Sequence, residues 1–328
     1  MCVWLIYLSV PTWDTMASCT KAEYKSPDRP TKCDYQEAEC VYDGGPRVPC
    51  EVRRKGSTTW RDMDKRPSLK IKGMKGLDGE DYVFAEDWVS KKVTLNNGVQ
   101  RISADVEVRA YDMFRDLGVK SSLAKLCSVK LHRGTTLVAN HRDYTMIETI
   151  SDKAFMKKNF GDDWILWEVE VGVTECKRDN GAFDDACDTD KSDMEELSLG
   201  DTNREEMIRY FVGEKLTSHW DSACLGVSRG NNFYVTKWIP EGTTDALHTF
   251  IPSGVDHTFD CWLQYATHFP MCKPMQQCFE DEECHSEYQD IYDNATETLY
   301  DPVWPCVSPW HKAAAGVVGA LSIVAPFV

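Results

Sequence analysis

Residues 53–72 read RRKGSTTWRDMDKRPSLKIK, with eight Lys or Arg and two Asp in a chain whose formal net charge is −16. This collection has the chemistry to hold phosphate. The Gly56-Ser57-Thr58-Thr59 loop offers backbone N–H groups and three hydroxyls beside Arg54 and Lys55. Loops of this kind cradle phosphate oxygens because their donors converge without steric obstruction. In the SLKIK run that follows, Leu69 and Ile71 alternate with Lys70 and Lys72, so a strand places both lysines on one face. The competing reading is a basic surface hairpin with a solvated face, since one glycine is a weak motif.

The elements that must position these groups are short. Residues 51–54, 68–72, 91–95, 126–131 and 144–150 read as β-strands. Between them, residues 104–117 read as a helix: Val106, Ala110, Met113, Phe114 and Leu117 form an apolar stripe, Ser103 caps it and Gly118 stops it. A capping box at Thr202-Asn203-Arg204-Glu205 opens a second helix that runs to about Thr217, with Met207, Ile208, Phe211 and Val212 inward. Residues 179–201 are dense in Asp and Glu and read as a solvated acidic loop or a lobe boundary.

Composition narrows the function classes. A chain of 328 residues, 42% hydrophobic, can bury a real core. Its acidic balance argues against nucleic-acid binding, which needs a basic footprint across the domain. Fourteen cysteines without CX2C pairs point to disulfides in an oxidising compartment, and zinc on Cys272, Cys278, Cys284 and His285 is the lesser alternative. Asn294-Ala295-Thr296 is a glycosylation sequon that fits secretion.

Domains are expected as follows. Residues 1–17 form a signal segment around the apolar run 3–10, and 18–47 a cysteine-containing lead-in. Residues 48–260 form the main domain and 261–306 a cysteine-rich subdomain. Residues 313–328 make an apolar tail of the kind that serves as a lipid-anchor signal.

Six segments occur in an order that resembles the CotH-type kinase family, known from bacterial spore coats and fungal surface invasins. KGSTTW at 55–60 is similar to the family's (R/K)GNSSW, and KRPSLKIK at 65–72 to its KKSYRIK strand. DVEVRAYDMFRDLGV at 105–119 resembles its RExLAYDLFRDLGV helix, and YTMIETI at 144–150 its LYVLIE strand. NNFY at 231–234 and PSGVDHTF at 252–259 resemble NNFY and PWDLDxTF. The similarity spans about residues 48–259.

The resemblance implies an α+β, atypical protein-kinase-like two-lobed fold with a cysteine-rich C-terminal tail. It implies ATP-dependent transfer of phosphate to Ser or Thr of a protein substrate, with Mg2+ or Mn2+. Such transfer needs cations on the phosphates, a metal held by Asp or Asn, and a carboxylate near the attacking hydroxyl. By resemblance Lys72 and Glu107 form the Lys–Glu pair, and Asp221 is the catalytic-loop carboxylate. Asn232 and Asp256 supply hard oxygen ligands to the metal. Lys55, Gly56 and Ser57 form the phosphate loop, and Glu148 ends a strand at the nucleotide pocket.

Each residue has a plainer role open to it, as a surface ion pair, a turn former or a helix face in solvent. Three departures from the family pattern also matter. Leu166-Trp167-Glu168 stands where the family shows LYK, Gly254 replaces the first Asp of PWDLDxTF, and Val106 replaces an Arg. Two functions therefore stand side by side. One is a secreted or surface-anchored protein kinase. The other is a catalytically degenerate surface adhesion protein, with membrane contact through the C-terminal tail alone.

Overall fold

The structure is a computed structural model that describes residues 1–56, 59–100, 103, 105–170, 173–183, 187, 197–219, 222–223, 232–256, 258–259 and 272–299. Period-two burial begins at the second residue. In β1 (Cys2–Leu8) the side chains of Trp4, Ile6 and Leu8 are fully buried while their neighbours are partly exposed. The same alternation runs through β2 (Gln36–Tyr42), β3 (Val48–Lys55) and β4 (Ser68–Lys72), is less regular in β6 (Ala124–Arg133), and gives way to continuous burial in the inner half of β7 (Thr136–Glu148). The short β5 (Val93–Asn96) is buried on both sides.

These seven strands close on themselves in the order β1-β2-β3-β4-β5-β7-β6. Every pairing is antiparallel except β1 with β6. The apolar run expected as a processing segment supplies the closing strand. Cys2 lies opposite Cys127 in the β1–β6 register and is disulfide-bonded to it. The barrel thus extends across the boundary expected at residue 48, and closure leaves no edge open to aggregation.

A second antiparallel sheet has the order β11-β10-β8-β9, built from β8 (Trp164–Glu170), β9 (Val173–Asn180), β10 (Phe233–Trp238) and β11 (Leu247–Pro252). The expected two-lobed protein-kinase-like fold is therefore corrected. Seven strands form a closed mixed barrel, and four more form a separate sheet with helices against it. The physical reason is the strand at residues 2–8, which gives the first sheet a partner for both of its edges.

Two small helices, α1 (Val10–Ser18) and α2 (Lys21–Lys25), follow β1, and α1 places Trp13 and Met16 against the barrel core. Helix α3 (Val106–Asp116) buries the expected stripe and, in addition, Glu107 and Tyr111. The cap falls on Asp105 rather than Ser103, and Gly118 at φ +83° ends the helix. Helix α4 (Lys153–Phe160) is capped by the Asp152 carboxylate, which accepts from the Ala154 N–H at 2.9 Å. Helix α5 (Arg204–Thr217) packs against α3 so closely that a Cβ on Gly213 would lie 2.5 Å from the Phe114 ring.

Helices α6 (Lys273–Glu280) and α7 (Glu282–Thr298) send Met275, Cys278, Cys284 and Ala295 into the same apolar cluster as α3 and α5. The described part of the expected cysteine-rich subdomain accordingly shares a core with the second sheet. Cys278 is bonded to Cys284, and Cys272 is also in a disulfide, which removes the zinc alternative. The described residues also pair Cys19–Cys33, Cys40–Cys50 and Cys176–Cys187. No helix of the described residues is long and apolar enough to cross a membrane. The tail at 313–328 lies outside the described residues.

Candidate functional site

A cleft with about 680 Å³ of empty space lies between the barrel and the second sheet. The barrel side presents Lys55 of β3, Lys70 of β4, Asn96 of β5, Glu107 and Tyr111 of α3, and Glu148 of β7. The opposite side presents Glu168 of β8, Asn232 and Tyr234 at β10, and Ser253-Gly254 after β11.

Lys70 is the central cation. Its neighbours Leu69 and Ile71 are buried in the barrel core, so strand alternation turns Lys70 outward. Burial pulls its ammonium down to about 7. Lys55 pushes the same way, Glu168 opposes, and Arg53 and Lys177 add smaller repulsions. An amine poised near neutrality lets small changes in nearby charge decide its protonation.

Glu168 answers that charge. It accepts a hydrogen bond from the Tyr234 hydroxyl at 2.7 Å and pairs with Lys177 of β9 at 2.6 Å. Burial alone would raise its carboxyl, but Lys177 and Lys70 attract the charged form, and the bonds from Lys177 and Tyr234 hold it below the ordinary value. Lys177 also pairs with Glu175 at 2.7 Å. The Glu168 that departs from the family's LYK is thus a member of the cleft, with a lysine on the next strand beside it.

On the barrel side Glu107 is fully buried, and Asn96 donates to its carboxylate at 2.8 Å. Tyr111, one turn on, is held protonated chiefly by burial and further by the carboxylates of Glu107 and Asp256. Asp256 is itself buried and close enough to act on Tyr111, but it is not among the residues that line the cleft.

Of the residues expected from sequence, Lys55, Glu107, Glu148 and Asn232 line the cleft. Lys72 does not join them. It points outward two residues further along β4, pairs with Glu51 at 3.1 Å and sits 4.4 Å from the centre of the Tyr35 ring. The cleft lysine is Lys70, because the two lysines share a face of the strand but not a position along it.

Glu148 is spent on structure. Its carboxylate accepts the N–H groups of Val89 and Ser90 at 2.9 Å each and that of Leu123 at 3.4 Å, and burial raises its pKa despite them. Gly56, at φ +116°, makes the turn beyond Lys55, and a Cβ there would meet the Thr59 hydroxyl at 2.5 Å. Ser57 and Asp221 lie outside the described residues.

Arg54 is turned inward. It donates to the carbonyls of Met16 and Cys19 at 3.2 and 3.0 Å and lies 4.0 Å from the centre of the Trp60 ring. Gly254 has a physical explanation as well. At φ +58° any Cβ would stand 2.5 Å from the Asn232 side chain, so this backbone leaves no room for the carboxylate that PWDLDxTF carries there.

As for oxygen ligands, the described residues hold no group of three His, Cys, Asp or Glu suited to a metal ion. Of the two expected metal ligands, Asn232 lines the cleft and Asp256 does not, so a Mg2+ ion there would take most of its shell from phosphate oxygens and water. Sequence reasoning missed Lys70, Asn96, Glu168, Lys177 and Tyr234. The signal for Lys70 was present in SLKIK, and the others became neighbours only through sheet pairing. The chain matches no protein-family model, and no curated protein matches it.

Proposed function

We propose that this cleft binds a nucleoside triphosphate with Mg2+ or Mn2+ and passes its terminal phosphoryl group to a hydroxyl of a protein, outside the cell. The observation that carries the reading is the convergence of Lys55 and Lys70 on one wall, opposite Asn232 and beside buried Glu107. Phosphoryl transfer is mostly positioning and charge neutralisation, and these groups supply both.

The triphosphate provides the activated phosphoryl group. Lys70 and Lys55 would neutralise phosphate oxygens, and Asn232 and Asp256 would be the residues that offer oxygen donors to a metal ion, which would supply further charge neutralisation. Glu107, which accepts a hydrogen bond from Asn96, is the buried carboxylate at the inner end of the cleft. The six motif segments that resemble the CotH-type family support the same reading. The disulfides support an extracellular site of action.

A second reading is favoured by Gly254. With no carboxylate possible at that position, the scaffold would bind a surface partner and transfer nothing. A thermal shift with ATP, with and without Mg2+ or Mn2+, on the disulfide-intact chain separates the two when run beside a γ-phosphate transfer assay. Metal-dependent stabilisation with transfer is the expected result. No shift and no transfer, with surface attachment intact in Lys70→Ala and Asp256→Ala, would establish the second reading.

A further inference from the structure

The outer face of the barrel carries a second collection of cations, around Lys72 rather than Lys70. Lys72, Lys91, Lys92, Lys153, Lys157 and Arg178 line one cleft with about 960 Å³ of empty space. They converge from β4, the segment before β5, helix α4 and β9. Asp81 and Asp152 are the carboxylates in that lining, in a protein whose net charge is −16.

The lysines are only loosely matched. Lys91 pairs with Asp81, and Lys92 approaches Asp152 at 4.0 Å. Lys72 and Lys157 pair with Glu51 at 3.1 Å and Asp162 at 2.8 Å, outside the cleft. Apart from Lys92 and the buried Asp152, these pairs are partly or largely exposed and contribute little. Lys153 and Arg178 join no ion pair among the described residues.

Lys72, Lys92 and Arg178 are half-buried, and Lys91, Lys153 and Lys157 are exposed. Burial draws the Lys92 ammonium down, Asp152 resists, and Arg178, Lys72 and Arg53 repel it further. The walls therefore hold like charges close enough to disfavour one another.

We propose that this cleft is a second anion site, which takes a compact ligand bearing several clustered phosphate groups. The concave shape gathers charge at one place, whereas an extended polyanion would also run over the acidic surface around it. The interleaved Asp81 and Asp152 argue the same way. The site does not depend on the phosphoryl-transfer reading, because Lys70 lies in the other cleft.

Titration calorimetry of inorganic tripolyphosphate into the full chain tests it. The double variant Lys92→Ala/Arg178→Ala should lose one class of sites, weakened about tenfold or more, while Lys70→Ala retains that class. Lys153→Glu/Lys157→Glu, confined to the exposed side of α4, should reproduce the loss if the first variant fails to fold. An isotherm unchanged by these substitutions overturns the proposal. So does equally tight, Lys92-dependent binding of a double-stranded DNA fragment, which would mark a general polyanion surface. Vesicles carrying phosphorylated inositol lipid, compared with free tripolyphosphate, tell a headgroup from a soluble ligand. Lys92-dependent binding of either supports the site. Loss of the ATP response in Lys70→Ala with tripolyphosphate binding retained separates this cleft from the proposed transfer site.

Discussion

Glu168 and Lys177 form an ion pair of 2.6 Å across the β8–β9 hairpin, on the wall that faces Lys70. The pair fixes where negative charge sits in the cleft, and with it how much of Lys70 is charged near neutral pH. A residue that reads in sequence as the loss of a cation is here the counter-charge to one.

Removing that counter-charge should move a pH profile. Glu168 favours the ammonium form of Lys70, whose pKa is about 7. In Glu168→Gln that value falls, so ATP binding that requires the charged lysine is lost at lower pH than in the parent. The ATP-induced thermal shift measured from acid to alkaline pH reads the displacement. An unchanged profile would detach Glu168 from Lys70.

The two lysines of β4 should behave differently. Lys70→Ala is expected to weaken metal-dependent nucleotide binding about 10- to 100-fold, the range for losing a hydrogen bond to a charged group. Lys72→Ala should leave the metal-dependent class of nucleotide binding unchanged, because Lys72 lies outside this cleft beside Glu51 and Tyr35. Equilibrium binding of a fluorescent nucleotide distinguishes them.

Lys70 also ties stability to pH. Its folded value of about 7 lies below the 10.5 of an ordinary lysine. Between those limits the unfolded chain holds the proton more tightly, so stability rises with pH across the window. Lys70→Met removes that slope. Its stabilising effect should be greatest below pH 7 and fade toward pH 10.5, as read by urea denaturation across that range.

Restoring the carboxylate of the family pattern should fail. Gly254→Asp places a Cβ 2.5 Å from the Asn232 side chain on a backbone at φ +58°. The expected outcome is destabilisation of about 1–3 kcal/mol from strain and crowding, with no gain in phosphoryl transfer. A lower melting temperature without new activity would bear this out.

The first strand should matter as much as any in the barrel. Trp4 is fully buried, so Trp4→Ala is expected to cost about 3–5 kcal/mol. Cys2→Ala/Cys127→Ala, which opens a link between residues 125 positions apart, should cost about 2–5 kcal/mol. Denaturant titration measures both.

Period-two and 3.6-residue patterns in the sequence were enough to locate β3, β4, β7 and α3, because half-buried strands and amphipathic helices carry their burial in the residue order. They did not reveal β1, since a short apolar run beside a chain terminus has the same composition as a processing segment. Its role depends on β2 and β6 being there to pair with it. The candidate site divides in the same way. Lys55, Glu107, Asn232 and Asp256 were legible as residue types with a chemistry. The choice of Lys70 over Lys72, the commitment of Glu148 to backbone N–H groups, and the meeting of Glu168, Lys177 and Tyr234 were not. Those follow from strand register and from the approach of two sheets, and distances across sheets are fixed only when the whole chain has packed.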